Sequence, residues 1–215
     1  MKITSLKALQ IYDSRGFSTV ECHLELADGS CGVGMVPSGA STEQFEAWEL
    51  RDGDAKHLQG KSVLKAISNI VGEIATGIRG MDAFSQEEVD QRMIQLDGTA
   101  NKSRLGANAI LGVPMALANA AASSCGKPLY DYLGKGEGIF LPLREIQLIG
   151  GGAHAAWRTD IQDFILMAIG AKSDAETLEM TFNVSHTAGR LLKEKGKLSG
   201  IADEGGYWPS FSSHE

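Results

Sequence analysis

Two short stretches set carboxylates beside glycines or apolar strand residues in a way that could do acid–base chemistry. The first is Gly200-Ile201-Ala202-Asp203-Glu204-Gly205-Gly206. An apolar pair leads into two acids and then two glycines. This reads as a buried strand that presents Asp203 and Glu204 to a cleft, with glycines that let the backbone turn and leave room for a ligand. The second is Asp160-Ile161-Gln162-Asp163-Phe164-Ile165-Leu166-Met167, again a strand carrying acids. Two strands ending in acids point to general acid–base catalysis, with or without a metal ion. The same residues would serve equally as caps or ion pairs at strand ends, since structural ion pairs gather at such places too.

The elements that must position them fall into two groups. Ile3 to Tyr12 reads as a strand, and Thr19 to Ala27 alternates, with Val20, Cys22, Leu24 and Leu26 on its apolar face. Asp28-Gly29 is a hairpin signal, and Cys31 to Val36 is the returning strand. His23, on the polar face, and His57 read as solvated. Pro37-Ser38-Gly39-Ala40-Ser41-Thr42 is a loop of small residues, able to turn its backbone N–H groups and hydroxyls toward an anion or a metal, or simply a turn. Helices follow over 61–78, over 85–96 behind a Ser85/Glu88 capping box, and over 105–124, where Pro114 predicts a kink or break. Gly134 to Gly138 is the linker candidate. It divides a first domain, 1–139, from a second, 140–215. In the second, strands over 141–149 and 160–169 precede a helix opened by a Ser173/Glu176 capping box, and Gly200 to Ala202 is the next strand. A strand–helix–strand unit with acids at its strand ends is how an α/β barrel begins.

Composition narrows the function. The chain has 215 residues and a formal net charge of −7, with no basic stripe, which argues against nucleic-acid binding. No apolar run approaches the roughly 20 residues of a membrane helix. Cys22, Cys31 and Cys125 lack metal-type spacing and read as reduced, buried or half-buried thiols. A soluble cytoplasmic protein is expected, without nucleic-acid or membrane partners.

The motifs, taken together, carry a family resemblance. Tyr12-Asp13-Ser14-Arg15-Gly16, Val36-Pro37-Ser38-Gly39-Ala40-Ser41-Thr42, Glu49-Leu50-Arg51-Asp52-Gly53-Asp54 and Leu96-Asp97-Gly98-Thr99 are four of them. Asn101 to Val113, Gly151-Gly152-Ala153-His154-Ala155 and Asp203-Glu204-Gly205-Gly206 complete the set. In this order they make the chain similar to the N-terminal part of the enolases, the phosphopyruvate hydratases. The resemblance implies an α+β cap domain, a three-stranded antiparallel sheet plus helices, followed by the first strands and helix of an enolase-type α/β barrel. It implies a magnesium-dependent lyase of glycolysis that dehydrates 2-phosphoglycerate to phosphoenolpyruvate, and a homodimer with Arg15 near its interface. Glu204 would protonate the leaving hydroxyl. His154, Gln162 and Asp163 would lie at the substrate, and Ser41 would reach a second magnesium ion. The main metal carboxylates and the catalytic lysine would lie beyond residue 215, so the chain is expected to be a fragment, inactive alone.

The chain departs from the family pattern in four places. Asp163 stands where enolases usually have Glu, Gly150 where they have Asn, Glu43 where they have Gly, and Phe17-Ser18 where they have Asn-Pro. A carboxylate moved by an ångström can cost about 10²-fold in rate. These departures keep two other readings open. One is a paralogue acting on a phosphonate, similar to carboxyphosphonoenolpyruvate synthase. The other is a non-catalytic truncated form.

Overall fold

The computed structural model describes residues 1–39, 45–138, 140–202 and 204–211, and of His154 the backbone alone. Two compact units divide the chain, 1–139 and 140–215. The expectations for Ser41, Glu43 and Asp203 lie outside the described residues.

The first unit is an antiparallel meander of β1 (Ile3–Tyr12), β2 (Ser18–Leu26) and β3 (Cys31–Met35), in the order β1-β2-β3. The alternation of β2 holds: Val20, Cys22, Leu24 and Leu26 are buried, while Glu21, His23 and Glu25 face the other way. Thr19 is an exception. It is buried, and its hydroxyl donates to the Val36 carbonyl at 2.7 Å. Burial pushes the Cys22 thiol up to about 12, with the Glu21 charge adding to the effect. Cys31 and Cys125 are exposed, not half-buried, because each sits at the rim of its element.

Helices cover the apolar face. α1 (Leu64–Asn69) runs through a π-helical turn, Ile70–Ile74, into α2 (Ala75–Ile78). α3 (Gln86–Asp97), α4 (Ala107–Ser124) and α5 (Leu129–Gly134) follow. Pro114 does not break α4, which is assigned as one continuous helix. Ser85 does precede α3, but its side chain makes no capping bond; its ψ of 62° lies outside the extended conformation usual for a capping serine.

α4 sits directly on the sheet because side chains are missing at the seam. A Cβ on Gly32 would come 2.1 Å from the Ala116 carbonyl oxygen, and one on Gly34 would come 2.4 Å from that of Gly112. From the helix side, a Cβ on Gly112 would come 2.6 Å from the Cys22 sulfur.

The loop between α3 and α4 is organised by a buried carboxylate, Asp97, which is 2 % exposed. It accepts from the Leu105 N–H at 2.7 Å and the Thr99 N–H at 2.9 Å, and from the Thr99 hydroxyl. Burial pushes its pKa up, but these bonds and the Arg104 charge outweigh that and hold the carboxyl below its ordinary value.

The second unit is an open four-stranded sheet in the order β5-β4-β7-β6. Its strands are β4 (Ile146–Gly150), β5 (Asp163–Leu166), β6 (Leu198–Ile201) and β7 (Tyr207–Pro209). β4 pairs antiparallel with β5 and parallel with β7, and β6 closes a hairpin with β7. The first two strands are shorter than their apolar runs predicted. α6 (Asp174–Glu194) opens as expected, the Ser173 hydroxyl accepting from the Glu176 N–H. The family fold is thus present as a cap unit and the opening strands and helix of a barrel. No helix of the described residues is long and apolar enough to cross a membrane.

Two predictions follow from this packing. Gly34→Ala meets backbone, which cannot rotate away, and should destabilise by about 1–3 kcal/mol or more. Gly72→Ala meets nothing within 4 Å and should be neutral or mildly stabilising. Denaturant midpoints of the two variants decide it. For Asp97, a lowered carboxyl contributes stability above its unfolded value and loses it as pH falls through the folded value. Asp97→Asn should therefore lose about 1–3 kcal/mol at neutral pH, because an amide turns an N–H toward N–H donors. It should also flatten the acid limb of stability below about pH 4. An unchanged acid limb would contradict this account of Asp97.

Candidate active site

The site is built by the middle of the second sheet. β4 lies between β5 and β7, so a side chain on β4 can reach the ends of both neighbours. Gly150 of β4 is paired with Asp163, the first residue of β5. On the other side, Ile149 is paired with Tyr207, the first residue of β7. Glu204, read as an acid at a strand end, lies instead in the turn of the β6–β7 hairpin. That turn is closed by the Ala202 N–H on the Gly206 carbonyl at 2.8 Å and by the Gly205 N–H on the Ala202 carbonyl at 2.9 Å. Gly205 has φ +93°, a conformation that side chains other than glycine rarely adopt.

Asp163 and Glu204, 41 positions apart in sequence, meet at one group. The Gln147 side-chain amide nitrogen donates to the Asp163 carboxylate and, at 2.9 Å, to the Glu204 carboxylate. The Gln147 carbonyl oxygen accepts from the Gly206 N–H at 3.0 Å. Asp163 and Gln147 are half-buried, and Glu204 is exposed. Asp163 and Glu204 therefore lie no farther apart than the reach of one shared amide nitrogen, with Glu204 open to solvent.

The other expected residues are placed as follows. Gln162 immediately precedes β5 and is exposed; its carbonyl accepts from the Gly151 N–H at 2.6 Å. His154 belongs to a 3-10 turn, Gly152–Ala155, which follows β4 directly. A Cβ on Gly151 would come 1.9 Å from the Ile161 carbonyl oxygen, so this glycine lets the β4 exit touch the segment that carries Gln162. Arg15 is held within its own turn by two bonds to Asp13, at 3.0 and 3.2 Å, and reaches the Ser38 carbonyl at 2.9 Å.

Sequence reasoning missed Gln147. Its signal was slight: one amide in the apolar run Ile146-Gln147-Leu148-Ile149. Two carboxylates offer hard oxygen donors of the kind magnesium takes. However, no group of three or more His, Cys, Asp or Glu side chains is gathered among the described residues. The described residues alone do not make a magnesium cage.

Two family profiles match the chain. One, the enolase N-terminal domain, covers residues 3–133, and the other, the enolase C-terminal TIM barrel domain, covers residues 138–215. The chain belongs to the enolase family. It is 48 % identical over 213 residues to the enolase of Bifidobacterium adolescentis, covering 99 % of this chain and 49 % of that one. It is likewise 48 % identical over 214 residues to Enolase 1 of Methylococcus capsulatus, covering 100 % of this chain and 51 % of that one. The chain thus spans about half the length of these curated relatives.

One departure from the enolase pattern is explained by the site. A Cβ on Gly150 would come 2.4 Å from the Ala202 Cβ and 3.2 Å from the Gln147 carbonyl oxygen. Gly150→Asn, which restores the usual enolase residue, should cost about 1–3 kcal/mol by overpacking. Adding Ala202→Gly should recover part of it. Equal denaturation midpoints for Gly150→Asn and the parent protein would show that the site has room to spare.

Proposed function

We propose that this chain supplies the cap domain (1–139) and the opening of the barrel domain (140–215) of a lyase that dehydrates 2-phosphoglycerate to phosphoenolpyruvate. The observation that carries the reading is the meeting of Asp163 and Glu204 at one amide, in a chain of the enolase family. Glu204 is the exposed member and sits in a turn, where a substrate hydroxyl can reach it. In this role it gives its proton to the leaving hydroxyl, which departs as water. The proton beside the substrate carboxylate goes to a base, the lysine that the family resemblance puts beyond residue 215. Asp163, with Gln162 and His154 on the neighbouring segments, lines the same substrate. Magnesium enters the reading from the family, with Ser41 as a ligand, and would stabilise the charge that builds on the substrate carboxylate. A cytoplasmic homodimer with Arg15 near its interface completes it.

A second reading rests on Asp163. The shortened acid stands in the site itself, so a phosphonate analogue of 2-phosphoglycerate is the alternative substrate.

The test starts from the intact mass of the native protein and its magnesium-dependent formation of phosphoenolpyruvate. The reading expects a protein of about its relatives' length that turns over 2-phosphoglycerate, while the 215-residue chain alone is inactive. Glu204→Gln should lower kcat by about 10²–10⁴-fold, the range of a lost general acid. Turnover of a phosphonate without turnover of 2-phosphoglycerate would move the assignment to the second reading. A native mass equal to that of this chain would leave it non-catalytic.

A further inference from the structure

We infer that Gln147 is a positioning residue, whose one side-chain amide sets the relation between the two acids of the site. The inference rests on the acid–base reading of Asp163 and Glu204 given above. Every hydrogen-bonding group of the amide has a defined partner. Its two N–H groups go one to Asp163 and one to Glu204, and its carbonyl accepts from the Gly206 N–H. The orientation follows from chemistry: the Gly206 N–H only donates, so the amide oxygen must face it, and a flipped amide would turn N–H toward N–H. Two carboxylates brought this close repel one another. An amide between them supplies one donor to each and, unlike a histidine or lysine, keeps those donors at any working pH.

The backbone leaves room for this amide. A Cβ on Gly206 would come 2.6 Å from the Gln147 carbonyl oxygen and 2.9 Å from its Cγ. A Cβ on Gly150, on the other side, would come 3.2 Å from the same oxygen. Gln147 is therefore seated against two glycines, and a side chain at either position would crowd its amide.

Reach is shared across the Gln147–Asp163 contact. Asp163 is a methylene shorter than the Glu usual in the family, and Gln147 spans what remains. Lengthening Asp163 alone would crowd the amide, and shortening Gln147 alone would leave a gap. Exchanging the methylene between them would keep the total.

A double-mutant cycle tests this in the catalytically competent protein. Asp163→Glu and Gln147→Asn should each lower kcat by about 10- to 100-fold, the scale of a carboxylate misplaced by an ångström. The double variant should recover to within about 5-fold of the parent. Contacting residues show such non-additivity, while a merely structural glutamine would give losses that multiply. Gln147→Met, which keeps volume without donors, should lower kcat with little change in KM. A kcat within 3-fold of the parent for Gln147→Met, or multiplying losses in the cycle, would overturn the inference.

A second readout does not depend on turnover. In the NMR spectrum, Asp163→Ala should shift one of the two Gln147 side-chain amide protons, and Glu204→Ala the other. If either substitution leaves both protons in place, the shared amide is wrong. If the proton shifts appear but the parent makes no phosphoenolpyruvate, it is the proposed reaction that fails and not the role of Gln147.

Discussion

The structure depends on backbones and functional groups approaching where a side chain would stand in the way. In the cap unit, α4 lies on the sheet through Gly32, Gly34 and Gly112, at separations that even a methyl group would not fit. In the barrel unit, Gly151 lets the exit of β4 touch the segment before β5, and Gly150 and Gly206 leave the space that the Gln147 amide fills. The constraint is the same in both units, and its product differs. The first gives a rigid scaffold. The second gives an acid of β5 and an acid of the β6–β7 turn a common partner.

Many motifs that carry the family resemblance turn out to hold the cap unit together. Asp97 gathers the N–H groups of the α3–α4 loop. Asn108 pairs with both backbone groups of Leu50, at 3.1 Å each, as a strand neighbour would. Arg51 donates to the Ser18 and Lys61 carbonyls, at 2.6 Å each, and to Glu49 at 2.7 Å. Asp52 caps α1 through the N–H groups of Leu64 and Lys65. Each of these polar residues pairs with backbone groups that would otherwise lack partners.

How much of this was legible in the sequence follows from the range of the interactions. The β1–β3 meander and the burial of Val20, Cys22, Leu24 and Leu26 are local pattern, legible in the alternation of the sequence. The Ser173 cap is legible as well, whereas Ser85 has the same spacing but a backbone that withholds its hydroxyl. Glu204 and Asp163 were marked as acids at strand ends, but their meeting needed the β5-β4-β7-β6 order. The hairpin to β7, which puts Glu204 in a turn, was not foreseen from Tyr207-Trp208-Pro209. Gln147 was not singled out at all. An amide within an apolar strand has no local signature, and its role exists only once three strands are assembled.

The most direct test of the central claim is a structure of the catalytically competent protein with magnesium and 2-phosphoglycerate bound. The account predicts the leaving hydroxyl oxygen within hydrogen-bond reach of the Glu204 carboxyl, about 2.6–3.2 Å. It also predicts the Gln147 amide still lying between Glu204 and Asp163. A substrate whose hydroxyl points away from Glu204, or a Gln147 side chain turned out of the site, would contradict it.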